Sequence, residues 1–316
     1  MPFIKAIKNR PYFKRFQTKF RRRREAKTDY HARKGLVIQD LDKYVAPKYR
    51  LVARITNSKV VAQIVYATLT GDKVIAEANS KELLRYGLHN AYTSYSAGYA
   101  TGLLLARRLL KSLKLDSIYA GAKAIDGNDY DVSAQVHESR RPFMAILDIG
   151  IRRPTIGNRV FAVMKGACDG GVHIPHSTRK FPGYEKGKSK KDSKYDAAVH
   201  KKRIYGGHVD EYMKNLKKDD PEAFNKQFSL WTKNLQKAGA KSVEELFGKV
   251  FEAIRKNPDH VKSTKKRAAV KYEDSAKTVI VTAKGKYTRA RRLTRDQRQA
   301  NVQKKKDIAR KQLAKN

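Results

Sequence analysis

Positive charge in this sequence is concentrated in its extensions, and that sorting decides which stretch can fold by itself. Residues 1–34 hold 13 Lys and Arg against 2 acids, whereas residues 50–150 hold 13 against 9. Residues 179–203 add 10 basic against 3 acidic residues, and residues 262–316 add 19 against 4. The near-balanced middle can bury a core of its own, while blocks of like charge repel themselves until a counter-charge arrives. With 71 Lys and Arg, 30 Asp and Glu and a formal net charge of +41, that counter-charge is expected to be a polyanion. Three separate basic blocks exceed what solubility requires, so nucleic acid is the expected partner.

Several classes are set aside by what is missing. One cysteine, Cys168, leaves no disulfide framework and no cysteine-built zinc site, which fits a reducing compartment. The longest apolar run, Ala97 to Ala106, stops at Arg107-Arg108, short of the roughly 20 residues a membrane span needs, so a soluble protein with no membrane partner is expected. Residues 1–24 carry no acid and no apolar signal core. A mitochondrial transit peptide is the alternative there, but such peptides are Ser-rich and this stretch has no serine, so it reads as an arm that stays attached.

The arm is more than charge. Tyr12, Phe13, Phe16, Phe20 and Tyr30 interleave with Lys14, Arg15, Lys19 and Arg21, Arg22, Arg23 and Arg24. In looped or single-stranded RNA, aromatic rings stack on unpaired bases while Arg and Lys hold phosphates. Phe13, Phe16 and Phe20 also fall at i, i+3 and i+7, a spacing that equally suits a helix packing on protein. The four-arginine run doubles as a weak nuclear-import pattern.

From Arg50 the period changes to two. Leu51, Ala53 and Ile55 alternate with Val52, Arg54 and Thr56, and Asn57-Ser58 supplies turn chemistry. Val60 to Leu69 and Lys73 to Ala78 complete a three-stranded meander around a second turn at Thr70-Gly71-Asp72. Ser80 as N-cap and apolar or small residues from 84 to 109 predict one long helix, kinked near Gly87, with Gly98 and Gly102 letting another backbone come close. Residues 116–142 read as loop and short strand, Phe143 to Ile149 as a buried strand, and residues from Val160 as a helix ending at Gly170-Gly171. Asp220-Pro221, Ser242 with Glu245, and Thr294 with Gln297 mark further helix starts.

The expected fold is α+β: a mixed sheet in β-β-β-α-β-α order with packed helices, a C-terminal helical extension, and basic N- and C-terminal arms. The expected divisions are an aromatic basic arm over 1–48, a core domain over 49–178, a basic loop over 179–205, a helical extension over 206–261 and a basic tail over 262–316.

No catalytic constellation withstands inspection. Gly183 with Gly187-Lys188-Ser189 is one residue short of a phosphate-binding loop and follows no apolar strand. Asp126, Asp129 and Asp131 lack the calcium-loop pattern and read as a turn. His173 and His176 have no carboxylate or cysteine at ligand spacing, so loop histidines are the better reading. Asp148 and Asp169 could form a two-carboxylate metal centre, which makes a metal-dependent RNA-processing nuclease the alternative function. Cys168 is most simply a small buried residue. No cofactor and no small-molecule substrate are expected.

Several segments nonetheless resemble one family in order along the chain. These are Arg15-Phe16-Gln17-Thr18, Phe20 to Glu25, Lys27-Thr28-Asp29-Tyr30, Arg54-Ile55-Thr56-Asn57 with Gln63, Arg85-Tyr86-Gly87, Tyr99 to Leu104, Leu147 to Gly150, Gly166 to Gly171, and Gly206 to Val209. The sequence is identified by them as a member of the 5S-RNA-binding family of eukaryotic large-subunit ribosomal proteins, from about residue 10 to about 260, with poorer agreement at 186–191 and in the extreme C-terminus. The resemblance implies a mixed α/β domain with a helical extension, docked on 5S rRNA in the central protuberance and helping to deliver it there during assembly. It implies large-subunit rRNA, a second ribosomal protein of the same particle and assembly factors as partners, and passage through nucleus and nucleolus before residence on cytoplasmic ribosomes. The candidate RNA-binding residues are Arg10, Tyr12, Lys14 to Arg24, Lys27, Tyr30 and Arg33 in the arm, with Arg54, Thr56, Asn57, Lys59 and Gln63 in the first hairpin.

Overall fold

The computed structural model describes residues 5, 7–44, 46–134, 137, 140–187, 192–261, 271–273, 279–282, 285–289 and 292–314. They fall into two compact units, 1–260 and 261–316. In the first, three short helices, α1 (Arg10–Arg15), α2 (Arg21–Arg24) and α3 (Tyr30–Val37), precede the sheet. The period-two stretch then forms the meander β1 (Arg50–Ile55), β2 (Val60–Thr68) and β3 (Gly71–Asn79). Its alternation buries Leu51, Ala53, Ile55, Ala62, Ile64 and Ala78 on one face.

That face is covered by α4 (Tyr95–Ser112) and, after β4 (Ile146–Asp148), by α5 (Arg159–Asp169). β4 joins β1 in parallel, Leu51 beside Leu147, so the sheet order is β3-β2-β1-β4 and its character mixed. The expected β-β-β-α-β-α order is thus present. α4 and α5 touch through their glycines: a Cβ at Gly102 would fall onto the Val163 carbonyl, and one at Gly166 onto the Tyr99 carbonyl.

Two expectations are corrected. The single helix from Ser80 is two pieces: a 3-10 segment over Ser80–Tyr86, and α4, which Ser94 caps by accepting from the Ala97 N–H. Gly87 adopts φ +93, a left-handed conformation that ends the first piece instead of bending it. Asn79, not Ser80, caps that piece, sharing a reciprocal box with Glu82, while Ser80 Oγ accepts from the Val60 N–H at 2.9 Å. The buried strand over 143–149 shrinks to three residues, because only Ile146–Asp148 find a ladder partner, and Met144 adds an isolated bridge to His173.

Residues 179–205, read as a basic loop, contain a small hairpin, β5 (Tyr184–Glu185) with β6 (Lys194–Tyr195), and then α6 (Ala197–Tyr205), capped by Asp196. The phosphate-loop resemblance at Lys188-Ser189 lies outside the described residues. α6 carries little helical periodicity in its sequence because its buried face is only His200 and Ile204, and one of these is polar. His200 is buried between two hydroxyls, Tyr95 at 2.8 Å on Nε2 and Tyr195 at 2.7 Å on Nδ1, and stacks on Phe181. Burial lowers its pKa to about 4, so it is neutral at pH 7.

The extension continues with α7 (Gly207–Asp219), α8 (Pro221–Gln227), α9 (Ser229–Ala238) and α10 (Val243–Lys256). Ser242 Oγ caps α10 at the Glu245 N–H, but the Glu245 carboxylate turns back to the Lys241 N–H, so the expected box is shifted by one residue. Buried Asp210 of α7 accepts from the Val243 and Glu244 N–H groups and ties the two helices together.

The second unit holds an antiparallel meander, β7 (Lys271–Tyr272), β8 (Val279–Thr282) and β9 (Gly285–Thr288), and the basic helix α11 (Arg295–Leu313). Thr294 and Gln297 form its capping box as expected.

Candidate nucleic-acid interface

The arm is built by local rules. Asn9 caps α1 at the Tyr12 N–H, and Pro11 occupies a first-turn position where its missing donor costs nothing. Phe16 ends α1 and Phe20 precedes α2, so Phe13, Phe16 and Phe20 do not share one helix face. All three are solvent-exposed, at 61, 56 and 75%. Each leans on another arm ring instead, Tyr12 with Phe13 and Phe16, and Phe20 with Tyr30 at 5.5 Å. Of the two uses their spacing allowed, packing on the protein core is not the one realised.

Arg10, Lys14, Arg15, Gln17, Thr18, Lys19 and Arg21 to Arg24 are exposed as well. Glu25 takes Arg21 at 3.0 Å and Lys27 at 2.8 Å, and these cations, Lys27 foremost, hold its carboxyl below the usual range. Among the described residues no carboxylate pairs with Arg10, Lys14, Arg15, Lys19, Arg22, Arg23 or Arg24. The Arg22 Nε–H donates to the Thr28 hydroxyl at 2.8 Å.

Beyond Thr28 the arm ceases to be free. Asp29 caps α3 by accepting from the His31 and Ala32 N–H groups, and Tyr30, Ala32, Arg33 and Leu36 of that helix border a cleft over the sheet. There Arg33 grips Asp72 with both Nη groups, at 2.8 and 2.7 Å. Asp72 also accepts from Arg50 at 2.6 Å, Arg50 reaches Asp148 at 3.0 Å, and Asp148 accepts from Arg54 at 2.8 Å. The result is a ladder of alternating charge, Arg33, Asp72, Arg50, Asp148 and Arg54, that joins α3 to β1, β3 and β4. Arg33 holds the Asp72 carboxyl below its ordinary range, against the opposing pull of partial burial, and Asp72 in turn raises Arg33. Arg50 is 3% exposed, so removing either carboxylate would leave a buried charge with one partner in place of two.

The first hairpin closes by Thr56, whose hydroxyl donates to the Lys59 carbonyl and accepts from the Lys59 N–H. Asn57 is exposed at the tip and is absent from the non-glycine residues with positive φ, so the turn does not require its left-handed tolerance. Arg54 is not at the tip. It lies in β1, and Asp148 takes two of its donors, through the side chain and through the carbonyl oxygen at 2.8 Å. Gln63 donates to Glu77 at 2.9 Å.

Arg22, Lys27, Tyr30, Arg33, Arg54 and Gln63 thus come together around one cleft of about 550 Å³ between the arm and the sheet. Arg10 to Lys19 and the tip residues Thr56, Asn57 and Lys59 do not line it. Sequence reasoning missed Arg50, Asp72 and the valine floor of Val52, Val65 and Val74. The available signal was a pair of charged residues on alternating positions whose neighbours are β-branched.

The carboxylates considered for catalysis are otherwise engaged. Asp148 belongs to the ladder, and buried Asp169 accepts from Lys165 at 2.6 Å and from the Tyr99 hydroxyl at 2.7 Å. Burial raises the Asp169 pKa despite those partners. Asp126 and Asp131 close turns on Asn128 and Ser133, as expected. His173 pairs with Asp131 and His176 with Asp129, and no group of three or more ligating side chains is placed to hold a metal among the described residues. Cys168 is buried, its thiol pKa pushed up by desolvation.

Comparison with known proteins places this chain in a family. Residues 14–177 match the family described as ribosomal large subunit proteins 60S L5 and 50S L18. Residues 243–311 match the ribosomal L18 C-terminal region, which carries the likeness past residue 260, the extent of the resemblance read from the sequence. The chain is 58% identical to the large ribosomal subunit protein uL18 of Tetrahymena thermophila over 267 residues, 84% of this chain and 88% of that protein. It is 51% identical to the uL18 protein of Eimeria tenella over 96% of both chains. The likeness to the Theileria annulata protein of the same name is 50% over 96% of this chain and 97% of that one. The chain therefore belongs to this family of large ribosomal subunit proteins, whose members are structural constituents and not enzymes.

Proposed function

We propose that this chain binds 5S rRNA and helps deliver it into the central protuberance of the large subunit during assembly. The observation that carries the reading is the division of the arm: residues up to Arg24 offer exposed rings and cations that, apart from Arg21, have no carboxylate partner among the described residues, and α3 anchors that array to a folded sheet. Rings stack on unpaired bases and cations neutralise phosphates, a combination suited to the irregular loops of a structured RNA. In this reading Arg10, Tyr12, Lys14 to Arg24, Lys27 and Tyr30 make the sequence-tolerant contacts. Thr56, Asn57, Lys59 and Gln63 meet the RNA from a rigid hairpin. Large-subunit rRNA, a second ribosomal protein of the 5S particle and assembly factors are the further partners, with passage through nucleus and nucleolus before cytoplasmic residence.

The test is binding of the full chain to 5S rRNA and to a random duplex across a salt series. Ten phosphate contacts give a log–log slope of about −7 to −9, with tighter binding to 5S rRNA at every salt. Equal affinity for both RNAs, or affinity independent of salt, overturns the proposal. Sequencing the RNA that copurifies with the protein identifies the partner directly.

A further inference from the structure

The cleft between α3 and the open sheet face has chemistry that the charge of the arm does not explain. Its volume, about 550 Å³, lies within the roughly 300–1,000 Å³ of sites that enclose a small molecule. Three of the charged side chains lining it are acids, and all three are spent: Asp29 on backbone N–H groups of α3, Asp72 on Arg33 and Arg50, Asp148 on Arg50, Arg54 and the Gly150 N–H. Five are cations: Arg33, Arg50 and Arg54, held by Asp72 and Asp148, Lys27, which also meets Glu25 outside the cleft, and Arg22, so five cations against three acids leave the lining at +2. That net positive charge disfavours a cation and favours an anion. The floor is apolar, with Val52, Val65 and Val74 lying across three neighbouring strands, and Tyr30 is among the arm residues above it.

We propose that this cleft receives a single unpaired nucleotide of the bound RNA, its base on the valine floor and its phosphate at exposed Arg22 and Lys27. The proposal rests on the RNA-binding reading above and names a site within it. A planar, apolar-faced base suits the valines, which offer no partner to a ribose or a free phosphate. The Gln63 carbonyl oxygen, which accepts no hydrogen bond among the described residues, is placed to read a donor on the base edge. Arg22 belongs to α2 and lines the cleft, so an RNA backbone following the four-arginine run passes the opening. This continuity favours a nucleotide within a strand over a free one.

The experiment fills the cleft without changing charge. Val74 is half exposed on an edge strand, so Val74→Trp closes the floor with little cost to the fold, and circular dichroism checks that cost. The full-length variant is expected to lose about tenfold in affinity for 5S rRNA at fixed salt and to keep its random-duplex affinity within about twofold. Gln63→Ala is expected to lose about threefold on 5S rRNA alone. Scanning abasic substitutions through the unpaired positions of the RNA is expected to find one that weakens the native protein about tenfold and leaves Val74→Trp unaffected. Native affinity in Val74→Trp, or a scan in which no abasic position behaves this way, overturns the nucleotide site while leaving the 5S preference of the native chain intact. Competition by adenosine monophosphate at micromolar concentration assigns the cleft to a free nucleotide and also overturns it. Absence of any 5S preference in the native chain overturns both proposals together.

Discussion

The Arg21–Arg24 run and the set Arg33, Arg50 and Arg54 are both arginine clusters, and they meet at one cleft, which Arg22 lines together with the other three. The run is exposed, four consecutive side chains on a single turn of helix, with Glu25 engaging only Arg21. The ladder arginines share two carboxylates, and Arg50 is nearly inaccessible. The first cluster uses one donor each from Arg21 and Arg22 within the chain and keeps the rest for something outside it, whereas the second spends its donors holding the chain together. Residue type is common to both; what differs is whether a carboxylate on a neighbouring strand arrives within reach.

The sharpest way to break this comparison is to remove a carboxylate. Asp148→Ala takes one of two carboxylates from buried Arg50 and the only one from Arg54 among the described residues, and the expected loss is about 3 kcal/mol in urea unfolding, whereas Arg23→Ala changes stability by less than about 0.5 kcal/mol. Equal small effects for both would mean the ladder is solvated and not structural.

Acid separates the ladder from a second buried polar group. His200 has its pKa lowered to about 4 in the fold against about 6.5 unfolded, so between these values the unfolded chain binds the extra proton. Stability is therefore full above about pH 6.5 and falls toward pH 4 by on the order of 3 kcal/mol. The carboxyl of Asp72 is depressed, so its contribution is present above about pH 4 and is lost only below that. Unfolding measured from pH 7 to pH 4 is expected to weaken the native protein and not His200→Phe, while hydrogen exchange at α3 stays protected until the pH drops below 4. Loss of α3 protection already at pH 5 would remove the ladder from its assigned role.

Recognition supplies the next contrast. Asn57→Ala is expected to weaken 5S binding by roughly 1–3 kcal/mol more than random-duplex binding, because the hairpin holds its tip at a fixed angle. Arg54→Ala is instead expected to act first on stability, since Asp148 already takes two of its donors. A purely recognition effect from Arg54→Ala, with an unchanged unfolding curve, would reverse that assignment.

The smallest expected change concerns the exposed run. Arg21 to Arg24 replaced by Ala should leave the unfolding curve in place while reducing the steepness of the salt dependence by about 3 to 4 for 5S rRNA and duplex alike. A drop confined to 5S rRNA would show that the run reads the RNA and does not merely attract it.

Much of this molecule was readable beforehand because it depends on neighbours in sequence. The meander follows from alternation, α5 and α11 from capping and termination residues, and the close approach at Gly102 from a glycine on an apolar helix face. Where local signals compete, reading them failed. Apolar residues continue past Gly87 with helical spacing, but its left-handed backbone breaks the pattern. α6 was overlooked because its inward group is a histidine that only Tyr95, Tyr195 and Phe181, drawn from elsewhere in the chain, make tolerable.

By itself the sequence determined that a near-neutral α+β core carries basic, aromatic extensions, since charge and periodicity are properties of the chain. It also placed Arg54 and Asp148 among the residues of interest, though in separate roles, one facing RNA and the other a metal. Only the tertiary structure decided that they face each other, that Arg33 and Asp72 fasten the arm beside them, and that a cleft with a valine floor lies between. The physical reason is range: periodicity and capping act within a few residues, whereas an ion pair between β1 and β4 joins groups 94 positions apart, and their meeting depends on how the whole sheet closes.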